Sequence, residues 1–151
     1  MIRTVAIVLL AALAGCARPK EETMTPSDPW KEKLTEEQYY VCRQKGTERP
    51  HSGKYVDFKG KGIFACVACG NELFESETKF DSGTGWPSFF RPLAKDRIRQ
   101  ERDDSHGVSR IEVTCAKCGS HLGHVFDDGP QPTGLRYCIN SVALKFVEKP
   151  K

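Results

Sequence analysis

A cysteine near the C-terminal end of the chain has two polar neighbours at the spacing of one strand face. Cys138 lies in LRYCINSV, with Arg136 two residues before it and Asn140 two residues after it. Because side chains alternate between the faces of a strand, a strand here would place all three on one side. A permanent cation beside a thiol favours the nucleophilic thiolate. The segment therefore predicts a reactive cysteine; the alternative is a buried, inert thiol, the commonest fate of a strand cysteine.

Two loops carry further residue types that could take part in chemistry at this thiol. In GTGWPSF, Trp86 stands between a glycine and a proline, and in HLGHVFDDGP, His121 and His124 are three residues apart. An imidazole can donate a proton to a leaving oxygen, and an indole can form an apolar wall for a small group. Taken singly, Trp86 could be a core residue, and the histidines could be metal ligands or loop residues bonded to the backbone.

Four other cysteines form two C-x-x-C-G motifs. They are Cys66 and Cys69 in CVACG, and Cys115 and Cys118 in CAKCG. A two-residue gap lets both thiolates of a pair reach one ion, and the glycine allows the tight turn that follows. Four thiolates would complete a tetrahedral Zn²⁺ site with no open position, so this zinc would be structural and not catalytic. The alternatives are two local disulfides or a thioredoxin-like redox pair.

The N-terminal segment is typical of an exported protein. A basic residue precedes an apolar run over 5–14, which is too short to cross a bilayer as a helix. The run ends in Leu-Ala-Gly-Cys, which resembles the lipobox of bacterial lipoproteins. Residues 1–15 are thus predicted to be a lipoprotein signal peptide, and lipidated Cys16 would anchor the protein outside the cytoplasm, on the periplasmic side in a Gram-negative cell. An ordinary signal peptide cut near Ala12 or Ala14 is the alternative.

Composition divides the rest of the chain into a tether and one domain. Residues 16–33 are rich in proline, threonine and charge and lack an apolar period, which predicts a flexible tether. The folded domain is predicted over 34–148, because 151 residues with 38% hydrophobic content hold little more than one domain. The formal net charge of +3 is small and scattered, so it gives no support to nucleic-acid binding. Of the seven cysteines, Cys42 and Cys138 are left as spare thiols, as a dithiol redox cycle would require.

The elements that must position these residues are a short helix and many short strands. Thr35 and Gln38 form a capping-box pattern that predicts a helix ending before Gly46. Strands are predicted at 55–58 and 63–66 as a hairpin, at 98–102 and 108–115, around Phe126, and at 136–146 as the longest strand. Short strands between turns indicate a mainly β fold of antiparallel sheets stabilised by the metal.

Several motifs together resemble the methionine-R-sulfoxide reductase B family, in the same order along the chain. They are GTERPHSGKY, CVACG, GTGWPSF, CAKCGSHLGHVFDDGP and RYCINSVAL, and the resemblance extends from about Leu34 to Phe146. The resemblance implies a β-tent (Mss4-like) fold of two small antiparallel sheets, with a short N-terminal helix and a structural zinc on the two C-x-x-C motifs.

The same resemblance implies a role for each polar residue around the reactive thiol. Cys138 would attack the sulfoxide sulfur and become a sulfenic acid as methionine is released. His121 and His124 would supply the proton for the sulfoxide oxygen. Asn140 would help to orient the site, and Arg136 would favour the thiolate. The implied substrate is the R-sulfoxide of methionine in oxidised proteins, and the protein is expected to act as a monomer.

The substrate wall and the recycling step are also implied by the resemblance. Trp86 would pack against the ε-methyl group of the substrate and help to select the R epimer. Many family members have a resolving cysteine just before the Gly-Trp-Pro-Ser-Phe motif, but here that position is Thr84. Cys42 is predicted to resolve instead, through a disulfide with Cys138 that a thioredoxin-like donor reduces. Otherwise the donor or a small thiol must attack the sulfenic acid directly.

Two other functions stay open at this level. One is a membrane-tethered zinc-ribbon interaction module whose spare thiol is incidental. The other is a general thiol-disulfide oxidoreductase that uses one C-x-x-C pair as its redox centre. Both leave the loop around Trp86 without a purpose.

Overall fold

The computed structural model describes residues 28–149. The predicted signal peptide, the lipidated Cys16 and most of the predicted tether therefore lie outside the described residues and stay predictions. Between residues 28 and 149, no helix combines the length and the apolar character that crossing a bilayer requires.

Two helices open the described part of the chain. Helix α1, Pro29–Lys33, begins after Asp28, whose carboxylate accepts a hydrogen bond from the Trp30 N–H. It occupies the end of the segment predicted to be a tether. Helix α2, Glu36–Gln44, follows directly and buries Val41 and Cys42 on its inner face.

The N-terminus of α2 has the capping box that the sequence predicts. The Thr35 hydroxyl accepts the Gln38 N–H at 3.3 Å, and the Gln38 side chain accepts the Thr35 N–H at 3.1 Å. Two of the N–H groups that a helix start leaves unpaired are thus satisfied. The helix ends at Lys45, which adopts the left-handed conformation. The predicted helix and its end before Gly46 are confirmed.

The remaining elements are short strands in two antiparallel sheets, so the predicted mainly β fold is confirmed. The smaller sheet has the strand order β2-β1-β9 and the larger sheet β3-β4-β8-β7-β6-β5. The strand bounds are β1 Gly62–Cys66, β2 Glu72–Glu75, β3 Lys79–Phe80, β4 Ser88–Phe89, β5 Ile98–Asp103, β6 Arg110–Cys115, β7 His121–Phe126, β8 Arg136–Ile139 and β9 Leu144–Glu148.

The larger sheet contains the two strands that the sequence predicts at 98–102 and 108–115. Strands β5 and β6 form an antiparallel pair in which Ile98 is opposite Cys115 and Asp103 is opposite Arg110. Phe126 ends β7, which lies between β6 and β8. The middle of this sheet therefore holds both the histidine pair and the cysteine of the predicted site.

The predicted hairpin over 55–58 and 63–66 is wrong. Residues 55–58 form turns, and β1 pairs with β2 on one edge and with β9 on the other. Both edges of β1 are thus occupied by other strands. The aromatic residues of the turn pack instead: the ring of Phe58 meets that of Phe146 at 4.6 Å, and the Tyr55 hydroxyl accepts the Phe146 N–H.

The predicted single strand over 136–146 is also wrong, because the chain changes sheets within it. Strand β8 belongs to the larger sheet and β9 to the smaller one, and a 3-10 turn at Ser141–Ala143 separates them. The carboxylate of Glu48 accepts the backbone N–H groups of Ser141 and Val142 at 2.6 and 2.9 Å. These N–H groups therefore bond to Glu48 and not to a neighbouring strand, and the chain turns at this point.

An aromatic core fastens the two sheets to each other. Phe64 and Phe74, from the smaller sheet, contact Phe89 of β4 with ring centroids 5.1 and 4.4 Å apart. All three rings are fully buried, and each contributes roughly 1.5–3 kcal/mol relative to an exposed side chain. Because β4 pairs with β8, this core also supports the strand that carries Cys138.

Candidate active site

The two C-x-x-C motifs meet where β1 and β6 end. The ligand atoms of Cys66, Cys69, Cys115 and Cys118 all lie within 4.8 Å of one another. Each motif closes a tight turn in which the glycine N–H bonds back to the carbonyl of the first cysteine. The glycines after the motifs have φ of +75° and +70°, conformations that side chains rarely adopt. The four cysteines thus form one cluster.

The cluster has the dimensions of a tetrahedral metal site. Metal–sulfur bonds of about 2.3 Å at tetrahedral angles place sulfurs about 3.8 Å apart. The sulfurs of Cys66 and Cys118 are 3.7 Å apart, and those of Cys69 and Cys115 are 3.6 Å apart. These contacts run between the motifs, which does not fit two local disulfides. Neither histidine of the HLGH segment belongs to the cluster, so four thiolates fit a closed, structural metal site.

A small cavity of about 120 Å³ brings together most of the residues predicted to do chemistry. Its lining includes Cys138, Trp86, His124 and Asn140, together with Arg110 and Phe126. Such a volume admits the end of one side chain and is far below the usual size of a cofactor site. Arg136 and His121, which are also predicted site residues, do not line it.

Strand pairing places the thiol at this cavity. Cys138 in β8 is opposite His124 in β7 on one side and opposite Ser88 in β4 on the other. A Cβ at Gly123 would collide with the carbonyl oxygen of Cys138. The glycine between the two histidines therefore allows β8 to lie close to β7.

His124 and His121 have different surroundings. Nε2 of His124 lies 2.7 Å from Oδ2 of Asp103, at the cavity wall. His121 is only 3% exposed, and its Nδ1 lies 2.7 Å from the Glu112 carboxylate. Burial lowers the pKa of His121, although Glu112 opposes this effect. Of the two histidines, His124 is thus the one that lines the cavity.

Trp86 is held in place by Glu48, a residue that the sequence analysis did not single out. The indole N–H of Trp86 donates to the backbone oxygen of Glu48 at 3.2 Å. The N–H of Glu48 donates to the Asn140 side-chain oxygen at 3.0 Å, and Asn140 in turn donates to the Leu122 carbonyl. Glu48 therefore connects the indole, the amide and the turn after β8. Glu48 is the acidic residue of the GTERPHSGKY motif, and its place in that motif is the sequence feature that could have identified it.

Arg136 interacts with Asp128 as well as with Cys138. Its guanidinium forms two hydrogen bonds of 2.8 Å with Asp128 and lies over the Phe126 ring at 4.4 Å. Burial raises the pKa of the Cys138 thiol, and the opposing effects of Arg136 and of a hydrogen bond from Thr84 do not overcome it. Arg136 thus favours the thiolate, but burial opposes it and has the larger effect, and Asp128 partly offsets the arginine charge.

The two positions considered for a resolving cysteine differ in location. Thr84 is at the site, with its hydroxyl oxygen 4.0 Å from the Cys138 sulfur. Cys42 is 2% exposed in α2 and does not line the cavity. Burial raises the pKa of Cys42 to about 12. Both Cys42 and Cys138 are free thiols in the structure, and the disulfide between them stays a prediction.

Comparison with known proteins decides the family. Residues 34–148 match the family model described as the SelR domain. The chain belongs to the B-type methionine sulfoxide reductases. The peptide methionine sulfoxide reductase MsrB of Methanosarcina mazei is 62% identical over 122 residues, which cover 81% of this chain and 87% of that protein.

Two bacterial B-type reductases are about as similar to this chain as the Methanosarcina mazei protein is. MsrB of Pseudomonas syringae pv. syringae is 61% identical over 122 residues, covering 81% of this chain and 93% of the relative. MsrB of Pseudomonas aeruginosa strain UCBPP-PA14 is 56% identical over 124 residues, covering 82% of this chain and 94% of the relative. The family and the enzyme class that the motifs predicted are thus confirmed, which sets aside the interaction module and the general thiol-disulfide oxidoreductase.

Proposed function

We propose that this protein reduces the R epimer of methionine sulfoxide in oxidised proteins, with Cys138 as the nucleophile and a cysteine sulfenic acid as the intermediate. The observation that carries the proposal is the cavity at which Cys138, His124, Trp86 and Asn140 meet. A nucleophile, a proton donor and an apolar wall are the parts that reduction of a methyl sulfoxide needs.

The first half of the reaction balances without any other reactant. The Cys138 sulfur attacks the sulfoxide sulfur, and the oxygen is transferred to Cys138 as its bond to the methionine sulfur breaks. The thiol sulfur loses two electrons and the sulfoxide sulfur gains two, so a thiol and a sulfoxide give a sulfenic acid and a thioether. The proton lost by the thiol is matched by the proton that the oxygen needs.

His124 is placed to move that proton. It lines the cavity and is opposite Cys138 in the neighbouring strand. Because burial raises the pKa of Cys138, the resting thiol keeps its proton. Attack is then coupled to proton transfer from the thiol to the sulfoxide oxygen, and an imidazole beside both can accept and donate it.

Trp86 and Asn140 supply the fit to the substrate. The indole forms the apolar part of the wall, and its N–H is bonded to Glu48. Asn140 is 3% exposed and held by hydrogen bonds to Glu48 and Leu122. A rigid wall discriminates between epimers because the methyl group and the oxygen of the wrong epimer exchange places.

The metal of the cysteine cluster is proposed to be zinc. Four thiolates in a tetrahedral arrangement are typical of structural Zn²⁺. When bound, the ion would connect the ends of β1 and β6, which belong to different sheets. Its contribution would be folding free energy and not chemistry at Cys138.

A thioredoxin-like donor is proposed to complete the cycle. A thiol attacks the sulfenic acid of Cys138 to give a disulfide and water, and a second thiol releases Cys138 and leaves the donor as a disulfide. Because Cys42 is buried in α2 and does not line the cavity, it can act as the first thiol only if α2 moves. Direct attack by the external donor needs no such movement. If Cys16 is lipidated, this repair takes place outside the cytoplasm, at a membrane.

The test is turnover of the separated R and S epimers of a dabsylated methionine sulfoxide, with dithiothreitol as reductant. We expect the protein to reduce the R epimer and to leave the S epimer unchanged. Equal rates for both epimers, or full activity in Cys138→Ser, would contradict the proposal. An Asp104→Asn variant, altered at an exposed carboxylate, serves as the matched control.

A further inference from the structure

One carboxylate holds two of the side chains at the cavity. Asp103, the last residue of β5, has Oδ2 at 2.7 Å from Nε2 of His124 and at 3.0 Å from an Nη atom of Arg110. Its other oxygen accepts hydrogen bonds from the N–H and the hydroxyl of Ser105. Both oxygens are therefore in use, and the carboxylate is fixed by three residues.

These contacts decide which nitrogen of His124 can exchange a proton with the cavity. The hydrogen bonds from Ser105 and His124 lower the pKa of Asp103, so its carboxylate is ionised and can only accept. The proton of the neutral imidazole must then be on Nε2, which donates to Asp103. Nδ1 is left as the atom that can take up and release a proton.

We infer that Asp103 is a positioning residue for the reaction: it fixes the orientation and the tautomer of His124 so that Nδ1 moves the proton from Cys138 to the sulfoxide oxygen. The inference rests on the proposed function, because His124 needs this arrangement only if it transfers a proton. The carboxylate also stabilises the imidazolium that exists between the two transfers.

Other charged or titratable groups that face His124 include Glu112, Arg110 and Cys138. Glu112, its partner across β6, binds Lys45 and His121, each at 2.7 Å. Arg110 shares Asp103, and Cys138 is the partner across β8. Among the described residues, Asp103 is thus the carboxylate that forms a hydrogen bond with His124.

The experiment compares Asp103→Ala and Asp103→Asn with Asp104→Asn. Asn can still accept from Nε2 but carries no charge, whereas Ala removes the acceptor. Asp104 is the matched control, because it is the next residue, is exposed and pairs with Arg102. We expect kcat for the R epimer to fall about 10- to 100-fold in Asp103→Ala and less in Asp103→Asn, with KM within about twofold. The control should keep wild-type kcat.

Imidazole ¹⁵N spectra provide a readout that a purely structural role would not change. The wild type should show the Nε2–H tautomer of His124, and Asp103→Ala should show a mixture. Unchanged kcat or an unchanged tautomer in folded Asp103→Ala would overturn the inference. If that variant does not fold, Asp103→Asn provides the test through kcat, because it keeps the acceptor but loses the charge that stabilises the imidazolium; an unchanged kcat in Asp103→Asn would then overturn the inference. Absence of R-specific turnover in the wild type would instead overturn the proposed function.

Discussion

Cys138 and His124 lie directly opposite each other in the neighbouring antiparallel strands β8 and β7. Opposed residues carry their side chains on the same face of a sheet, with Cβ atoms about 4.5–5.5 Å apart. Both side chains line the same cavity. Because paired strands hold their residues more rigidly than loops do, the thiol and the imidazole are already in place before a substrate arrives.

The proposed nucleophile and the proposed resolving thiol can be separated by substitution. Cys138→Ser should lose all turnover, because a serine hydroxyl cannot form a sulfenic acid. Cys42→Ser should keep its first turnover, since Cys42 is buried in α2 and does not line the cavity. Mass spectrometry after one equivalent of sulfoxide shows whether wild type forms an internal disulfide. A bridge that persists in Cys42→Ser would rule out Cys42 as the resolving residue.

Alkylation of Cys138 should become fast only in alkaline solution. Burial raises the pKa of this thiol, so its iodoacetamide reaction rate should rise with pH through a midpoint above the ordinary thiol value. Arg136→Gln should move that midpoint further up and Asp128→Asn should move it down, since the arginine favours the thiolate and the carboxylate opposes it. A midpoint near neutrality in the wild type would show a preformed thiolate and contradict the structure.

Truncation of the Trp86 side chain should affect turnover and epimer preference more than folding stability. Trp86→Ala should lower kcat/KM for the R epimer by about tenfold and reduce the preference for R over S, because the cavity loses an apolar wall. Trp86→Phe should keep most of the kcat/KM and most of the preference for R over S. Steady-state kinetics with the separated epimers measures the change. Trp30→Phe, in α1 and outside the cavity, is the control and should match the wild type.

Loss of the Glu48 side chain should destabilise the protein. Its carboxylate accepts the N–H groups of Ser141 and Val142, so Glu48→Ala should lower the free energy of unfolding by about 2–4 kcal/mol. Urea denaturation measures this change. Glu37→Ala, at an exposed position of α2, should be nearly neutral. Equal stabilities of the two variants would show that the turn does not depend on Glu48.

The carboxyl of Glu48 should also make the free energy of unfolding depend on pH. Burial raises the pKa of Glu48 above that of an exposed glutamate. The folded state therefore binds the proton more tightly than the unfolded state, and ionisation of this carboxyl at neutral pH costs part of the stability that the protonated group would give. As the pH falls through the raised pKa, the cost is relieved. The difference in unfolding free energy between wild type and Glu48→Gln should thus shift in favour of wild type from pH 7 to pH 5.

Removal of the metal should unfold the domain. The cluster connects the ends of strands from both sheets, and structural zinc sites carry about 10–16 kcal/mol of apparent binding free energy. Elemental analysis should find one zinc per chain. Cys69→Ser should reduce that content and the β signal in circular dichroism, whereas Cys42→Ser should leave both unchanged. A metal-free protein with native spectra and full activity would exclude this structural role.

The sequence by itself determined the parts that depend on local spacing. The capping box of Thr35 and Gln38 fixes a helix start through contacts within one turn. Each C-x-x-C-G motif specifies one pair of metal ligands, because ligand type and gap are local properties, and the two pairs do form one cluster. The order of the motifs was enough to indicate the family, and Cys138, His124, Trp86 and Asn140 do meet at one cavity.

Only the tertiary structure decided how these parts interact. The split of 136–146 into β8 and β9 depends on Glu48, which is far from both strands in sequence. The environment of Cys138 depends on burial and on the pairing of Arg136 with Asp128. Asp103 reaches His124 because β5, β6 and β7 are adjacent. Desolvation and long-range hydrogen bonds depend on which segments become neighbours, and residue spacing along the chain does not encode that.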